Sequence, residues 1–499
     1  MPHAPSDAYA ALLAHHARIA ALSDAAAILS WDQETHMPPA GAAQRAASRG
    51  ALAGTLHALR TDPRIGDWIA TAEDADLDEA GRADLREARR SFAQSTRVPA
   101  DLAEALAREA SATHHVWAEA RAADDPAPYL PALARMISLR REEAQALSDG
   151  EGDPYDALLD QYEPGASAAE IDAVFARLRA GLVALLDRLL GAPAAPPRPA
   201  GTFPAPAQLA LARAAATACG YDWSAGRLDL AVHPFSSGGG RDVRITTRVS
   251  EDDPMECLYA TLHETGHALY ELGVAPELHA RPVGSHASMG VHESQSRLWE
   301  NHVGRSAAAA PFLHALVAEH LGETGLTTPQ AFHAAANALE PGFIRTAADE
   351  AQYDVHILMR FDLERALLSG DLPPEDLPGA WDDRFEADFG RRPPDAAQGC
   401  LQDVHWSEGL IGYFPTYTLG NMGAAALMAK LRADEPALDA ALAAGDFSVV
   451  LDWLRPRIHA PGRIKPVAEL WRSVLGEAPD ETPLLAHLAA KFEPLHGLA

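Results

Sequence analysis

His263-Glu264-Thr265-Gly266-His267 is the segment whose residue types and spacing can do chemistry. On a helix, two histidines four residues apart leave the same face, so both imidazoles can reach one metal ion. A glutamate directly after the first can reach water held beside that ion, as its general base. The chemistry is metal-assisted hydrolysis. At this His and Glu content chance gives about 0.06 such motifs, so the surroundings must carry the argument. An ion of the zinc type needs a third protein ligand. Tyr270 and Gly273 stand where a three-histidine metzincin needs Gly and His, which rejects that class. Glu271 lies about 12 Å along the helix from His263, too far to join both histidines. A second helix must supply the ligand. Gly290 to Glu300 reads as that helix and presents Glu293, with 25 residues between it and His267. His263, His267 and Glu293 are the candidate ligands of one divalent ion per chain, and they leave a fourth position for water; His286 and His292 are alternatives. Zn²⁺ is the default for this set, and imidazole and carboxylate also accept Co²⁺ or Mn²⁺.

The elements that must position these residues are mostly helical. Ala, Leu, Arg and Glu dominate, and apolar residues recur at three- and four-residue spacings, as over Ile171 to Leu190. Asp253-Pro254-Met255-Glu256 carries a cap, a first-turn proline and a capping-box glutamate, which predicts a helix from Pro254 to Leu272 around the motif. Just before it, Leu228, Leu230 and Val232 alternate with polar residues, as do Val243, Ile245, Thr247 and Val249. With Ser236 to Gly240 as a flexible turn, this predicts a β-hairpin. Gly191 to Pro206 and Ser369 to Gly399 are proline-rich and predict long loops. Neither is a polar tether, so the chain, residues 1–499, reads as a single helical domain.

Among 499 residues, 41 Lys+Arg face 70 Asp+Glu, a formal charge of −29. That excludes nucleic acid and anionic membrane as partners. Lysine occurs only at 430, 465 and 491, so any cation that receives an anionic ligand must be Arg or a metal. Cys219, Cys257 and Cys400 are few and scattered, which predicts no disulfide framework, no thiolate zinc site, and a reducing, cytoplasmic compartment. His15, His16, Arg18 and Asp24 interrupt the apolar stretch from Ala8 to Trp31, which predicts neither a signal-peptide core nor a membrane span.

Beyond the metal motif, an ordered series of short segments resembles the thermostable carboxypeptidase 1 family, also called carboxypeptidase Taq. The segments are His233-Pro234-Phe235, Asp242 to Thr246, His263 to His267, His292-Glu293-Ser294-Gln295, Ile344 to Asp349, and Gly399 to Trp406. Trp31 to Pro38, Tyr162-Glu163-Pro164-Gly165 and Tyr413 to Asn421 extend the likeness over most of the chain. The resemblance implies a mainly helical fold of the neurolysin and angiotensin-converting-enzyme type with a deep groove, a homodimer, and release of single amino acids from peptides with a free C-terminus. It makes Arg345 the first choice to hold the substrate carboxylate and Arg244 the second. His405, Tyr413 and Tyr417 are candidates to stabilise the oxyanion, and His233 and Gln402 to line the groove. An endopeptidase or dipeptidyl carboxypeptidase on the same scaffold is the rival within enzymology. A non-catalytic helical peptide-binding protein is the rival outside it.

Overall fold

The computed structural model describes residues 4–148, 150–192 and 195–498. The predicted helix former content is realised as twenty α-helices among the described residues, with one small sheet. Among the described residues, two large apolar cores fill most of the interior, with three smaller clusters beside them. One surrounds the helix Glu350–Ser369 and holds Leu182, Phe361, Trp381 and Phe414. The other holds Leu258, Leu262, Trp299 and Phe447 beneath the metal motif. The helix Pro415–Asp434 divides them, giving Met422 and Ala425 to the first and Leu427 and Met428 to the second.

The helix Glu350–Ser369 is buried on nearly all sides although its sequence is rich in polar residues. Its buried carboxylates find partners. Asp354 accepts from Thr418 Oγ1 (2.7 Å) and Asn421 Nδ2 (2.8 Å). Glu364 accepts from Tyr155 Oη (2.8 Å) and Trp406 Nε1 (2.8 Å). Such satisfied networks are the condition for burying polar side chains at all.

The sheet corrects the expected hairpin. Its strands are β1 (Leu228–Leu230), β2 (Ser236–Gly239) and β3 (Asp242–Thr247), in the order β1-β3-β2. β1 runs parallel to β3, and the hairpin is formed by β2 with β3. The serine and glycine segment read as a turn is therefore itself a strand. Gly238 sits at φ +108°, and a Cβ there would collide with the Asp242 carbonyl, so only glycine admits this approach. β3 packs Val243 and Ile245 against Ala268 of the helix Pro254–Gly273. That helix begins as predicted, with Asp253 accepting from the Met255 amide at 3.0 Å.

Two other expectations change. Between Ser369 and Gly399 the chain forms a helix, Leu377–Phe389, which buries Trp381 and Phe385. Pro378 lies in its first turn, where the missing N–H costs nothing, so the prolines punctuate without breaking it. The amino-terminal helix Pro5–Thr35 is long and apolar enough, by length and composition, to cross a membrane. Its interrupting charges therefore do not exclude a span. Here it packs on its neighbours Ala42–Arg60 and Arg64–Ala72 and on β2, burying Leu12, Ile19 and Trp31. The stretch from residue 192 to 204 carries no helix or strand, as expected, with residues 193 and 194 outside the described residues.

Glu163, in the Tyr162 to Gly165 turn, anchors the helix that bears Glu293. It is buried, and it accepts from Ser288 Oγ (2.8 Å) and the Gly290 amide (2.9 Å) at that helix's first turn. Burial pushes its carboxyl up to about 7, against the hydrogen bonds that favour the anion. A folded-state value above the unfolded one adds stability below the unfolded value and loses it as pH rises through the folded one. Glu163→Gln does not titrate, so from about pH 4.5 to 7 the wild type should lose on the order of 3 kcal/mol relative to it. Urea unfolding of both proteins across that range checks the slope, and parallel curves would refute it.

Candidate metal centre

Two helices build the centre because they can touch backbone to backbone. A Cβ on Gly266 would stand 2.5 Å from the Gln295 carbonyl and 2.6 Å from Ser296 Cα. The glycine between the two motif histidines thus lets the helix Met289–Arg297 lie directly against Pro254–Gly273. On the other side, a Cβ on Gly420 would stand 2.5 Å from Glu293 Cβ and Cγ. The helix bearing Glu293 is thus clamped between two others, with Gly266 against its backbone and Gly420 against the Glu293 stem.

The clamp places Glu293 Oε2 at 3.4 Å from His267 Nε2 and 3.8 Å from His263 Nε2. The three ligand atoms lie within 4.8 Å of one another. A tetrahedral ion with bonds of about 2.1 Å separates its ligand atoms by about 3.4 Å, so this donor set and spacing fit a divalent cation. Two other His and Glu groups also bring three such atoms within 4.8 Å, but their closest pairs are nearer than ligand atoms around one ion. Glu271 Oε1 lies 2.7 Å from His286 Nδ1 and 3.1 Å from His292 Nε2, and Glu350 Oε1 lies 2.8 Å from His487 Nε2. Those are hydrogen-bond distances. His286 and His292, the alternative ligands, therefore belong to Glu271. His292 stacks its ring on His267 at 4.4 Å.

Residues around the three ligands fix their orientation. His263 Nδ1 meets Glu300 Oε2 at 2.9 Å, which aims Nε2 at the ion site. Arg297 Nε donates to Glu293 Oε1 at 2.7 Å and its Nη1 to Glu300 Oε2 at 3.2 Å. Burial would push Glu293 up, but Arg297, His263 and His267 hold it well below the usual carboxylate range. Glu300 lies in the π-helix Leu298–Gly304, whose wider turn follows the ligand helix. Arg297 and Glu300 were not singled out from the sequence. Their positions four and seven residues after Glu293 put them on the same helix face, and that periodicity was the available signal.

Glu264 is buried, and burial raises its carboxyl to about 7. Arg345 is also buried and donates to Asp403 Oδ1 from Nε (2.9 Å) and Nη2 (2.7 Å), and to Tyr353 Oη from Nη1 (3.1 Å). Its guanidinium lies 5.3 Å from the Tyr417 ring. His405 Nε2 lies 3.2 Å from Tyr417 Oη, and the Tyr413 ring is 5.4 Å from that of Tyr417. Arg345, His405, Tyr413 and Tyr417 thus form one neighbourhood. Tyr353 joins it to the metal ligands, because Arg297 covers its ring at 4.4 Å.

Three expected substrate residues stand differently. Gln402 spends its amide on the backbone, accepting from the Arg345 amide (2.8 Å) and donating to the carbonyls of Phe343 (3.0 Å) and Gln398 (2.8 Å). It holds the Arg345 turn. Arg244 is committed to Asp242 by two bonds of 2.8 Å and stacks on Trp31 at 4.4 Å. His233 is exposed on the connector between β1 and β2. Among the described residues neither makes a hydrogen bond, ion pair or ring contact with the metal ligands. A cavity of about 570 Å³ opens between Pro5–Thr35, Glu79–Arg97 and the segment 279–286, with Glu271 and His286 in its wall and none of the three candidate ligands lining it.

A helical scaffold that presents two motif histidines, a glutamate from a second helix and a buried carboxylate beside them defines a metallopeptidase. The chain belongs to the carboxypeptidase Taq (M32) metallopeptidase family, whose model matches residues 11–492. It is 44% identical to thermostable carboxypeptidase 1 of Thermus thermophilus, over 99% of this chain and 100% of that one. It is 36% identical to thermostable carboxypeptidase 1 of Pyrococcus furiosus, over 96% and 97%. The crystal structure of a carboxypeptidase of the same family from Deinococcus radiodurans superposes with a TM-score of 0.95 at 38% identity, covering 98% of this chain and 100% of that one. The protein is a metallocarboxypeptidase, a peptide hydrolase.

The helix contact at Gly266 makes a prediction about metal affinity. Gly266→Ala drives a methyl into the backbone of the neighbouring helix, so it should destabilise the protein by about 1–3 kcal/mol and weaken metal binding. Titration of the chelator-cleaned protein with Zn²⁺ should give one ion per chain for the wild type, weaker binding for Gly266→Ala and no tight binding for His267→Ala. Wild-type affinity in Gly266→Ala would remove the contact from the metal site.

Proposed function

We propose that this carboxypeptidase removes single amino acids from peptide C-termini, with His263, His267 and Glu293 holding one divalent ion, Zn²⁺ by default and Co²⁺ or Mn²⁺ as alternatives. The spacing of the three ligand atoms carries this reading. When bound, the ion supplies a Lewis acid that polarises the scissile carbonyl and makes water nucleophilic at neutral pH. Glu264 takes the proton of the attacking water on its carboxylate and returns it to the departing amine. Arg345 receives the substrate's terminal carboxylate, for which its planar fork is suited. Tyr413, Tyr417 and His405 supply donors to the oxyanion, and burial, then Arg345, hold His405 neutral with its value pushed down to about 4. Residues 1–499 act as one domain. Three buried, unpaired cysteines support the cytoplasm as its compartment, and the family resemblance supports a homodimer.

Glu264→Gln keeps the shape and cannot accept the proton, so it should retain the metal and lose about 10²- to 10⁴-fold in kcat. Near-normal turnover would remove Glu264 from the mechanism.

Cleavage position separates this function from an endopeptidase or dipeptidyl carboxypeptidase. Leaving a buried charge without its partner costs on the order of 2 to 5 kcal/mol, so Arg345→Ala should lower kcat/KM on free-carboxylate peptides roughly 30-fold to several thousand-fold. Wild type should suffer a similar loss on the amidated peptide. Mass spectrometry should show single residues leaving in order from the C-terminus. Internal fragments, or equal cleavage of the amide, would release Arg345 from this role.

A further inference from the structure

Asp403 is shared. Its Oδ1 takes Nε and Nη2 of Arg345, and its Oδ2 takes Nε of Arg360 at 2.6 Å. Arg360 has no solvent exposure. It donates from Nη1 to the His356 carbonyl at 2.7 Å, its guanidinium lies over Trp381 at 4.6 Å, and its Nη2 has no hydrogen-bond partner. The two guanidiniums flank the Phe414 ring, at 5.5 Å for Arg345 and 5.6 Å for Arg360. Of the titratable groups around the pair, Tyr353 and Tyr417 are kept neutral by burial, which pushes their hydroxyls up, and His356 and His405 are held neutral by burial first and then by the arginines. At Asp403 itself two buried guanidiniums therefore share one carboxylate, while Glu364, one turn beyond Arg360, gives its oxygens to Tyr155, Trp406 and the Gly412 amide and is pushed up by burial to about 7.

A buried arginine normally brings its own carboxylate, because an uncompensated charge in a low-dielectric interior is costly. If Arg345 and Asp403 stood alone, they would form a closed, neutral pair, and an incoming carboxylate would compete with Asp403. Arg360 draws on the same carboxylate and leaves the group one positive charge in excess. We propose that Arg360 is a positioning residue for substrate specificity: by sharing Asp403 it leaves Arg345 with an uncompensated charge, which the terminal carboxylate of the peptide neutralises. This rests on the reading of Arg345 as the carboxylate anchor. Arg360 does not touch the substrate and acts through Asp403 and Arg345.

The test is a charge count by mutation. Matched peptides ending in a free carboxylate or a carboxamide are assayed with the metal-loaded wild type, Arg345→Ala, Arg360→Met, Arg360→Lys and the double variant Arg360→Met with Asp403→Asn. Arg360→Met makes the remaining pair neutral, so KM for the free-carboxylate peptide should rise about tenfold or more, kcat should change less, and the preference for carboxylate over amide should fall. Arg360→Lys keeps the charge and should keep most of the preference. The double variant restores one net positive charge and should recover much of what Arg360→Met loses, which a purely structural role would not do. If the methionine variant does not fold, Arg360→Gln, which can still bond Asp403 and the His356 carbonyl, takes its place in both arms. An unchanged preference in the neutral variant, equal losses in the lysine and methionine variants, or a double variant no better than the single would each overturn the inference. If Arg345→Ala keeps the wild-type preference, the anchor reading itself fails and takes the inference with it. Loss in Arg345→Ala with no effect in the neutral Arg360 variant defeats only the inference.

Discussion

An ionised carboxylate held inside the protein, 3.4 and 3.8 Å from two imidazoles on another helix, is the constraint around which the structure is arranged. A glutamate in that position resists burial and has to be placed to within tenths of an ångström of its spacing. Placement comes from Gly266 and Gly420, which let three helices meet with backbone against side-chain stem, so Glu293 has no freedom to swing away. A Cβ at 420 would meet the Glu293 stem, and one at 266 the backbone of its helix. The anchor at Glu163 sets the ligand helix along its own axis, because its bonds to Ser288 and Gly290 fix where that helix begins.

Keeping Glu293 ionised calls for a set of charges that has to be built at the same time. Arg297 bonds both Glu293 and Glu300, Glu300 turns His263, and Arg305 lies 3.5 Å from Glu300 on its other oxygen. Removing one member would leave its partners as buried unpaired charges, which is why such networks cost more to break than any single pair is worth. Tyr353 lies at the edge of this network. It receives a hydrogen bond from Arg345 and presents its ring to Arg297. The candidate metal ligands and the neighbourhood of Arg345 therefore share a wall at the Tyr353 ring.

Local order was legible in the sequence and remote pairing was not. The helix over the metal motif, its Asp253 cap and the helix bearing Glu293 follow from residues a few positions apart. The sheet was misread because glycine at 238 is there for a close backbone approach, which no β-propensity signals. Leu377–Phe389 was hidden because first-turn proline reads like a breaker. Of the site, His263, Glu264, His267 and Glu293 could be reasoned from spacing, and Arg345 from resemblance. Arg360 could not. Its identity as a buried charge depends on Asp403, 43 residues further along and brought close only by tertiary packing. For the same reason Gln402 looked available to substrate, because nothing local shows that it is spent on backbone groups, whereas the pairing of Arg244 with Asp242, two residues away, was a reading the sequence itself allowed.

The distribution of charge ties these levels together. The chain carries −29 overall, so a peptide approaching with its terminal carboxylate meets a surface that does not attract it. Whatever selects that carboxylate must act at short range, inside the protein, where a low dielectric makes one positive charge count for far more than it does in water. Positive charge at such depth is unstable unless it is paired, and a fully paired arginine has little left to offer a ligand. The arrangement at Asp403 meets both demands: the carboxylate is bonded by two guanidiniums, which holds the cluster together, and the cluster keeps one charge in excess. On the proposed reading, specificity for a chain end is a property of a three-residue charge balance inside the protein, where Arg360 has no solvent exposure.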